Sequence, residues 1–468
     1  MNKINILIKP PQEKLKSLLE YFQSGRYGDA EKLSLSITKE FPEHQFAWKI
    51  LAAVLKQTGR INESLNIIQK SIQLNPQDST NHNNLGVILQ ELNRVDEAQA
   101  CFGKAIKLQP EYAEAHCNLG LILHVLRNFE EAQRSYKQAI GLKHDYAEAY
   151  NGLGNLQREI GKSDEAEASF KKAITLKPDY AEAHRSLGII QIEFGKSDEA
   201  EASFKKAITL KPDYAEAHQS LGSIQIEFGK LEEGMNSYKK AITLKPDYAE
   251  AKHLLAALIG QTTKSSPRKY VEDLFNTFAI NFDHTLVNKL EYKIPNKIVK
   301  IIVAENPNIK LGSVLDLGCG TGLIGDEIKR YCSNLEGIDL SKLMLEKAGA
   351  KNIYDKLVYK DILEYLSTED LNFNYFISSD VFVYVGELSE IFRLIKSRNK
   401  LKGKFIFSTE HTNKDRFFLE KSGRYSHSKK YIETLCDKFN YKLSHFETTN
   451  LRKDKDKFII GGLYFLDF

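Results

Sequence analysis

The feature that most constrains this chain is a 34-residue repeat that runs through its first half. Prolines mark the period, and His144 stands where one mark is missing. Glycine, alanine and aromatic residues recur in phase with the marks, so the period belongs to a structural unit. The marks are Pro42, Pro76, Pro110, Pro178, Pro212 and Pro246, and the aromatic column is Phe102, Tyr136, Phe170, Phe204 and Tyr238.

Each unit predicts a helix, a turn and a second helix, because apolar residues recur at spacings of three and four in two blocks. The small residues are expected to let the two helices touch, the aromatic residue to fill the gap between helix pairs, and the proline to end the second helix. Seven units are predicted over 11–248, and 249–267 is predicted to be a capping helix and a linker. The units are 11–44, 45–78, 79–112, 113–146, 147–180, 181–214 and 215–248.

This pattern resembles the tetratricopeptide repeat. The resemblance implies an all-α superhelix whose concave groove binds an extended peptide or a protein. The alternative is that the array only solubilises or oligomerises the rest of the chain. The side chains expected in the groove are mixed and mostly uncharged: Asn83, Val87, Gln90, Cys117, Leu121, His124, Asn151, Asn155, Arg158, Arg185, Ile189, Ile192, Gln219, Ser223 and Ile226.

Charge and composition argue against several other classes of protein. The 66 basic and 62 acidic residues leave a net charge of +4, which gives no electrostatic footprint for a nucleic acid. No apolar stretch reaches a membrane-spanning length, and the first residues, MNKINILIKPPQEK, contain only a short apolar run. Five cysteines without a C-x-x-C pair predict neither a disulfide framework nor a metal site. We therefore expect a cytoplasmic protein that binds neither membrane nor nucleic acid.

The second half of the chain has a different sequence pattern, because the 34-residue repeat does not return after the polar stretch QTTKSSP at 261–267. Apolar strand-like runs, LEGID, KLVYK, FNYFISS and KFIFST, alternate there with helical segments. That alternation predicts a parallel sheet with helices on both faces. Two last runs, YKLSHFETT and FIIGGLYFL, suggest an antiparallel hairpin that closes the sheet.

A glycine loop follows the first of these strands. Gly318, Gly320 and Gly322 are spaced G-x-G-x-G, whereas a dinucleotide site needs the third glycine one residue later. Asp316, just before the turn, would sit poorly beside a pyrophosphate but suits a ligand with an ammonium group. Asp339 ends the second strand, at the place of a carboxylate that binds both ribose hydroxyls. These features predict S-adenosylmethionine as the ligand.

Asp361 is expected to end the third strand, where it could accept the exocyclic amine of an adenine while Ile362 covers the ring. The motifs VLDLGCGTG, GIDLS and KDIL resemble the first three motifs of class I methyltransferases. The resemblance covers 268–468 and implies a Rossmann-like α/β domain that binds S-adenosylmethionine. Leu340 and Asp380, within the similar segments, complete the expected cofactor site.

Three further segments are similar to methyltransferases that carry tetratricopeptide repeats upstream: KYVEDLFNTFAINFDHTLVNKLEYKIP, DVFVYVGEL and SGRYSHSKKYI. In the first, Phe275, Phe278 and Phe282 form a stripe that predicts either a lid over the cofactor or ordinary packing. In the last, Arg424, Tyr425 and His427 could hold an anionic acceptor, or could serve as a cap and turn.

Two residues are candidates for catalysis. His411, directly after the fifth strand, could remove a proton from a hydroxyl or carboxyl acceptor, or could be a surface histidine. Tyr384 lies just past the fourth strand and could orient the acceptor, or could pack under the next helix.

Three functions remain open on the sequence alone. The favoured one is a methyltransferase whose array recruits or positions an unknown acceptor. The second is a scaffold whose methyltransferase-like domain senses the cofactor or is inactive. The third is a glycosyltransferase, because the array also resembles the repeats of O-linked N-acetylglucosamine transferases. The asparagine ladder of those proteins is reduced here to Asn84 and Asn118.

Overall fold

A computed structural model describes residues 9–279, 281–305, 310–454 and 457–468. The first eight residues, where the short apolar run was noted, therefore lie outside the described part. The chain divides into two compact units, one ending at Leu210 and one beginning at Lys211. Each unit is described by itself.

The first unit consists of six helix pairs, and each pair falls within one 34-residue period. The second helix of a pair ends two residues before the proline mark, as at Leu108 before Pro110. This position suits a proline, which cannot donate a backbone hydrogen bond inside a helix. The pairs are α1 (Gln12–Gln23) and α2 (Tyr27–Glu40), α3 (Gln45–Gln57) and α4 (Ile61–Leu74), α5 (Ser79–Glu91) and α6 (Val95–Leu108), α7 (Ala113–Val125) and α8 (Phe129–Leu142), α9 (Ala147–Glu159) and α10 (Ser163–Leu176), and α11 (Ala181–Glu193) and α12 (Ser197–Leu210).

The aromatic column packs first within its own helix pair. A Cβ placed on Gly86 would lie 2.6 Å from the Phe102 ring, and the same relation holds for Gly154 and Phe170 at 2.7 Å. Only glycine allows the facing helix to approach the ring this closely. The ring therefore packs within its own pair as well as in the predicted gap between pairs, where Tyr136 also reaches Gly152 of the next pair.

The second unit begins with a seventh helix pair, α13 (Ala215–Glu227) and α14 (Leu231–Leu244), followed by α15 (Ala249–Leu258) and α16 (Arg268–Phe278). A π-helical turn, His284–Lys289, precedes α17 (Ile294–Glu305). The seventh pair thus shares a compact unit with the sheet domain, whereas the sequence placed the division after the array. A solenoid repeat contacts only its neighbours, so the composition of a terminal repeat does not show which unit it joins.

The sheet domain alternates strands and helices. Its elements are β1 (Gly312–Leu317), α18 (Leu323–Ile328), β2 (Cys332–Asp339), α19 (Lys342–Ala350), β3 (Lys356–Tyr359), α20 (Ile362–Thr368), β4 (Tyr375–Ser378), α21 (Ser389–Arg398), β5 (Lys404–His411), β6 (Phe417–Leu419), β7 (Tyr425–His427), α22 (Lys429–Phe439), β8 (Lys442–Asp454) and β9 (Lys457–Asp467).

Strands β3, β2, β1, β4 and β5 are parallel neighbours in that order, and β9 pairs antiparallel with β5 and with β8. Strand β7 pairs parallel with the carboxyl end of β5, and β6 pairs antiparallel with β7. The predicted closing hairpin is confirmed, as is the order of an all-α superhelix followed by an α/β Rossmann-like domain. Reversal of the strand order at β1 and β4 makes the carboxyl edge of those strands the expected place for a ligand.

Both faces of the sheet are covered, as the apolar strands predicted. Leu315, Phe376 and Phe405 point to a core shared with α20, α21 and α22. Val314 and Ile377, one residue away on their strands, point to a second core shared with α17 and α18. Because side chains alternate in this way along a strand, the position of each polar residue at a strand end determines the face of the sheet on which it lies.

Candidate active site

The loop after β1 is built on glycine. Gly318, Gly320 and Gly322 have φ values of +75°, +54° and +91°, a region that other residues rarely occupy. A Cβ on Gly318 would lie 2.5 Å from Val381. At Gly320, by contrast, the nearest atom to such a Cβ is on the Phe282 ring at 3.9 Å, an ordinary van der Waals distance. A glycine here thus leaves the space of a small side chain free between the loop and the Phe282 ring.

Asp316 lies beneath this loop and is 1% exposed. The hydroxyl of Tyr354 donates to its Oδ2 atom at 2.7 Å. Burial raises the pKa of Asp316 to about 7, against the lowering effect of the Tyr354 hydrogen bond. A buried carboxyl group with a raised pKa gains from a nearby cation, which would stabilise its ionised form. Tyr354 was missed by the sequence analysis because it lies in a short connection without a motif.

Asp339 ends β2, as predicted, and its carboxylate accepts two backbone N–H groups. Gly320 donates to Oδ2 at 2.9 Å and Ser341 donates to Oδ1 at 2.8 Å. Burial raises the pKa of Asp339 to about 6, although these amides favour the ionised form. The carboxylate thus ties the glycine loop to the end of β2, and Leu340 follows it with a partly exposed side chain.

Asp361 does not end the third strand, because β3 ends at Tyr359. It is instead the N-cap of α20, where its Oδ1 accepts from the backbone N–H groups of Leu363 at 2.8 Å and Glu364 at 3.3 Å. An aspartate at this position satisfies amides that the helix leaves free. Ile362 is the first residue of α20 and is partly buried. Contact of either residue with an adenine stays a prediction.

Asp380 belongs to a buried ion-pair cluster. Arg452 on β8, 4% exposed, pairs with Asp380 through one guanidinium nitrogen and with Glu410 on β5 through the other, at 2.6 Å for the second pair. Burial raises the pKa of both carboxyl groups, and Arg452 opposes that shift. The sequence analysis missed Glu410 and Arg452. Arg452 lies in the charged stretch LRKDKDK between the last two strand-like runs, and β8 continues through part of this stretch to Asp454.

Tyr384 lies beside this cluster. Its ring contacts the Phe275 ring edge-on, with 5.3 Å between the centroids. Burial raises the pKa of its phenol, while the guanidinium of Arg424 lowers it. Arg424 acts in the same way on Asp380, so these three side chains share one electrostatic environment. This placement fits either role predicted for Tyr384.

His411 is the last residue of β5 rather than the first residue after it. Its ring packs against Phe446 at 6.0 Å, and its buried Nδ1 atom has no hydrogen-bond partner in the described part of the chain. Because side chains alternate along a strand, His411 faces the side of the sheet opposite to Glu410. The structure therefore does not bring His411 onto the face that holds Asp316, and its catalytic role stays a prediction.

The other two residues of the polar group around Arg424 are structural. Tyr425 and His427 are fully buried. The Tyr425 hydroxyl hydrogen bonds to Thr263 Oγ1 at 2.5 Å, and His427 Nε2 hydrogen bonds to the Gly386 carbonyl at 2.8 Å. Burial lowers the pKa of His427 to about 4, so the ring is neutral near pH 7. The suggestion that all three side chains hold an acceptor is therefore wrong for Tyr425 and His427.

A covering segment, residues 268–279 and 281–292, lies over the carboxyl edge of the sheet. Asn276 accepts a hydrogen bond from Ser341 at 2.7 Å, and Asp283 accepts one from Thr321 of the glycine loop. Phe275 and Phe282 pack together with the first turn of α19. Phe278, by contrast, is 52% exposed, so only two of the three predicted aromatic residues face the site.

The predicted linker 261–267 is ordered against the sheet domain. Ser265 forms an antiparallel bridge with Val385, and the N–H of Ser266 donates to the Tyr384 carbonyl at 2.9 Å. On α15, His253 is buried and its Nε2 hydrogen bonds to the Gly423 carbonyl at 2.9 Å. The connection thus pairs with the loops that carry Tyr384 and Arg424, which a polar composition alone did not predict.

The described residues contain no group of three or more His, Cys, Asp or Glu side chains that could hold a metal ion. No helix within them is long and apolar enough to cross a membrane.

Comparison with known proteins identifies both halves. A family model described as a methyltransferase domain matches residues 310–459, and tetratricopeptide-repeat models match segments between 67 and 258. An uncharacterized protein of Haemophilus influenzae is 31% identical over 113 residues, which are 22% of this chain and 44% of that protein. The chain thus spans less than half the length of this curated relative.

Solved structures resemble the chain in fold only. They include the APC/C hetero-tetramer Cut9–Hcn1, with 18% identity, a TM-score of 0.48 and coverage of 52% of this chain and 48% of that one. A tetratricopeptide repeat protein of Parabacteroides merdae has 20% identity and a TM-score of 0.44, and the match covers 53% of this chain and 98% of that one. The family models, together with the strand order, show that this chain joins tetratricopeptide repeats to a methyltransferase domain with a Rossmann-like fold.

Proposed function

We propose that the protein transfers a methyl group from S-adenosylmethionine, and that its repeat array recruits or positions the acceptor. One observation carries the first part. Asp316 and Asp339 are carboxyl groups with raised pKa values at the ends of adjacent strands, beside a glycine loop in which Gly320 faces the Phe282 ring. In the described part of the chain neither of them pairs with a cation. The site therefore fits a ligand that supplies positive charge and hydroxyl donors.

S-adenosylmethionine has these properties. Asp316 would face its ammonium group, Asp339 would accept from the ribose hydroxyls, and the backbone at Gly320 would lie along the ligand. When bound, the cofactor supplies an activated methyl group on a sulfonium. The protein then has to exclude water and hold the acceptor in line with that methyl group. The covering segment is suited to exclude water, because Phe275 and Phe282 lie over the glycine loop and α19.

The acceptor is expected on the side of β4, where Tyr384, Arg424 and Asp380 share one environment. The cluster of Asp380 and Glu410 with Arg452 holds these strand ends in a fixed arrangement. This rigidity favours positioning of the acceptor over a large contribution from acid–base chemistry.

Two features support recruitment by the array. Leu121 and Val125 on α7 are exposed apolar side chains, which a peptide partner could cover. In addition, the end of the array continues into a connection that hydrogen bonds to the loop bearing Tyr384. A scaffold that only senses the cofactor remains the second candidate, because a binding site alone does not establish turnover.

The first test is binding of S-adenosylhomocysteine by titration calorimetry. The full-length protein is expected to bind it, and Asp339→Ala is expected to abolish binding while the protein still melts cooperatively. Asp415→Asn, which changes an exposed carboxylate, is the matched control. No binding by the unchanged protein would refute the proposal.

The second test separates enzyme from scaffold. The protein is incubated with labelled methyl donor and a lysate of its own source, and the label is sought in polypeptides and in metabolites. Label in polypeptide that falls strongly with Leu121→Asp would support recruitment by the array. Cofactor binding without any label transfer would favour the scaffold.

A further inference from the structure

The two helices after the seventh pair stand in the register of an eighth repeat. A shift of 34 residues from α13 and α14 predicts helices over 249–261 and 265–278, and α15 and α16 lie within these bounds. The glycine that faces an aromatic ring in the earlier pairs becomes Ala256, 34 residues after Gly222. The aromatic residue, however, is replaced by Glu272 on α16. A helix pair of the earlier kind is therefore not expected here, because the ring that would face Ala256 is missing.

Helix α16 lies over the sheet domain. Its Glu272 accepts a hydrogen bond from the hydroxyl of Tyr359, at the end of β3, at 2.8 Å. Its Phe275 packs in the cluster that contains Met344 on α19. These contacts belong to the side of the sheet domain on which the cofactor is expected. The small residues of α15 therefore need another element to cover them.

The β6–β7 hairpin of the sheet domain supplies this cover. Ala256 and Ala257 on α15 lie in one buried cluster with Leu419 of β6 and Tyr425 of β7. Tyr425 is fully buried, and its hydroxyl is 2.5 Å from Thr263 Oγ1 in the connection. An aromatic ring of the hairpin thus packs beside the small residues of α15, as the rings of the second helices do in the earlier pairs.

His253 on α15 binds the turn of this hairpin. It is 3% exposed, and its Nε2 atom lies 2.9 Å from the carbonyl oxygen of Gly423. A carbonyl only accepts, so Nε2 carries the proton, and burial lowers the pKa of His253 against the raising effect of this bond. Gly423 has a φ of +76°, and a Cβ there would lie 3.2 Å from Leu254. The bond from His253 thus fixes a close turn whose next residue is Arg424.

The loop that carries Tyr384 is held from the same side. The Lys264 carbonyl accepts from the backbone N–H groups of 386–387 at 2.9 and 2.8 Å, and the N–H of Ser266 donates to the Tyr384 carbonyl at 2.9 Å. The Oγ atom of Ser266 is in turn 3.3 Å from His253 Nε2. Both loops on the acceptor side therefore rest on α15 and on the connection that follows it.

We propose that α15 and α16 are an eighth repeat opened by the sheet domain, and that His253 is a positioning residue for the acceptor side of the active site. In this arrangement α16 covers the cofactor site, and the hairpin takes the place of the second helix against α15. His253 acts through Gly423 and Ser266, which place Arg424 and Tyr384. The inference rests on the proposed function and adds that the last helices of the array form part of the acceptor site.

The test compares His253→Ala with His253→Gln in the full-length protein. Glutamine stands at the same place one repeat earlier, as Gln219, and its amide can still donate to the Gly423 carbonyl. The rate of label transfer from labelled methyl donor to a lysate of the protein's own source is expected to fall about tenfold or more in His253→Ala, because misplaced positioning groups are costly. His253→Gln is expected to stay within about threefold of the original rate.

Cofactor binding separates positioning of the acceptor from loss of the fold. The dissociation constant of S-adenosylhomocysteine, measured by titration calorimetry, is expected to stay within about twofold of the original in both variants, because neither touches Asp316 or Asp339. Lys252→Ala is the matched control: it changes the exposed neighbour of His253 on α15 and should alter neither binding nor label transfer.

Hydrogen exchange supplies a readout that needs neither ligand nor acceptor. The amides of 386–387, which bond to Lys264, are expected to exchange faster in His253→Ala and at the original rate in His253→Gln and Lys252→Ala. Thr263→Val removes the hydrogen bond to the Tyr425 hydroxyl with little change of shape. It is expected to speed exchange of the same amides, so the reasoning can be tested even if His253→Ala does not fold.

Three results would overturn the inference: unchanged label transfer in His253→Ala, no recovery of transfer in His253→Gln, or an equal loss of S-adenosylhomocysteine binding. If the original protein binds no S-adenosylhomocysteine or transfers no label, the proposed function fails. The exchange rates of 386–387 then decide the placement of the loops by themselves. Faster exchange in His253→Ala would support it, and unchanged exchange would refute it.

Discussion

The raised pKa of Asp316 predicts that ligand binding depends on pH. The carboxyl group has a pKa of about 7 in the free protein, because it is buried beneath the glycine loop. A ligand with an ammonium group prefers the ionised carboxylate, so binding must release the proton that remains there. Affinity is therefore expected to rise with pH up to about 7 and then to level off.

The size of the effect follows from the ionised fraction. A group with a pKa of about 7 is about one-tenth ionised at pH 6 and about nine-tenths ionised at pH 8. If the ligand binds only the ionised form, the dissociation constant of S-adenosylhomocysteine falls about tenfold between these pH values, equivalent to about 1.4 kcal/mol. Asp339, with a pKa of about 6, adds a smaller contribution in the same direction.

Titration calorimetry at several pH values measures this dependence. Repeating it in two buffers of different ionisation enthalpy counts the protons released. Asp316→Asn has no proton to lose and should bind more weakly, with a flatter pH profile. Asp415→Asn, at an exposed site, should keep the original profile. A profile for the unchanged protein that is flat from pH 6 to pH 8, or an unaltered slope in Asp316→Asn, would refute the reasoning.

Three further predictions concern the fold. Gly154→Val should lower the free energy of unfolding by about 1–3 kcal/mol in denaturant titration, because its Cβ would lie 2.7 Å from the Phe170 ring. The control is Gly141→Ala, whose Cβ would have no atom within 4 Å and which should not lower the free energy of unfolding. Equal losses in the two variants would contradict this prediction. Arg452→Met should lower the free energy of unfolding by about 3–5 kcal/mol at pH 8 and by less at pH 5, where its two carboxylate partners take up protons. A loss of stability that does not depend on pH would count against the ion pairs. His253→Ala should speed proteolysis within 261–267, whereas an unchanged cleavage rate would mean that this contact does not hold the connection.

Local patterns determined much of the architecture. The helix pairs could be predicted because their signal lies within one period of 34 residues, where each glycine faces the aromatic residue of its own pair. The glycine loop could also be predicted from the sequence, because φ values of +54° to +91° at three positions leave little choice of residue. Asp316 and Asp339 could be predicted as site residues from their positions relative to that loop along the chain.

The residues on the acceptor side of the site could not be predicted from such local patterns. Arg452 and Asp380 are 72 residues apart in sequence, and they meet only because β8 joins the sheet through β9, which pairs with β5. Nothing in LRKDKDK distinguishes a buried arginine in a strand from an exposed one in a charged loop.

The same limit applies to the residues that surround the glycine loop. Tyr354 lies in a segment without a motif, and its role depends on which strand ends face it. The polar stretch 261–267 has the composition of a linker, yet its backbone groups bind the loop at 384–387. Periodicity and loop conformation are local properties, so the sequence by itself determined the helix pairs, the alternation of strands and helices along the chain and the glycine turn. Which buried charges and hydroxyls meet is a property of the assembled sheet, because it depends on strand order and register, and only the tertiary structure decided it.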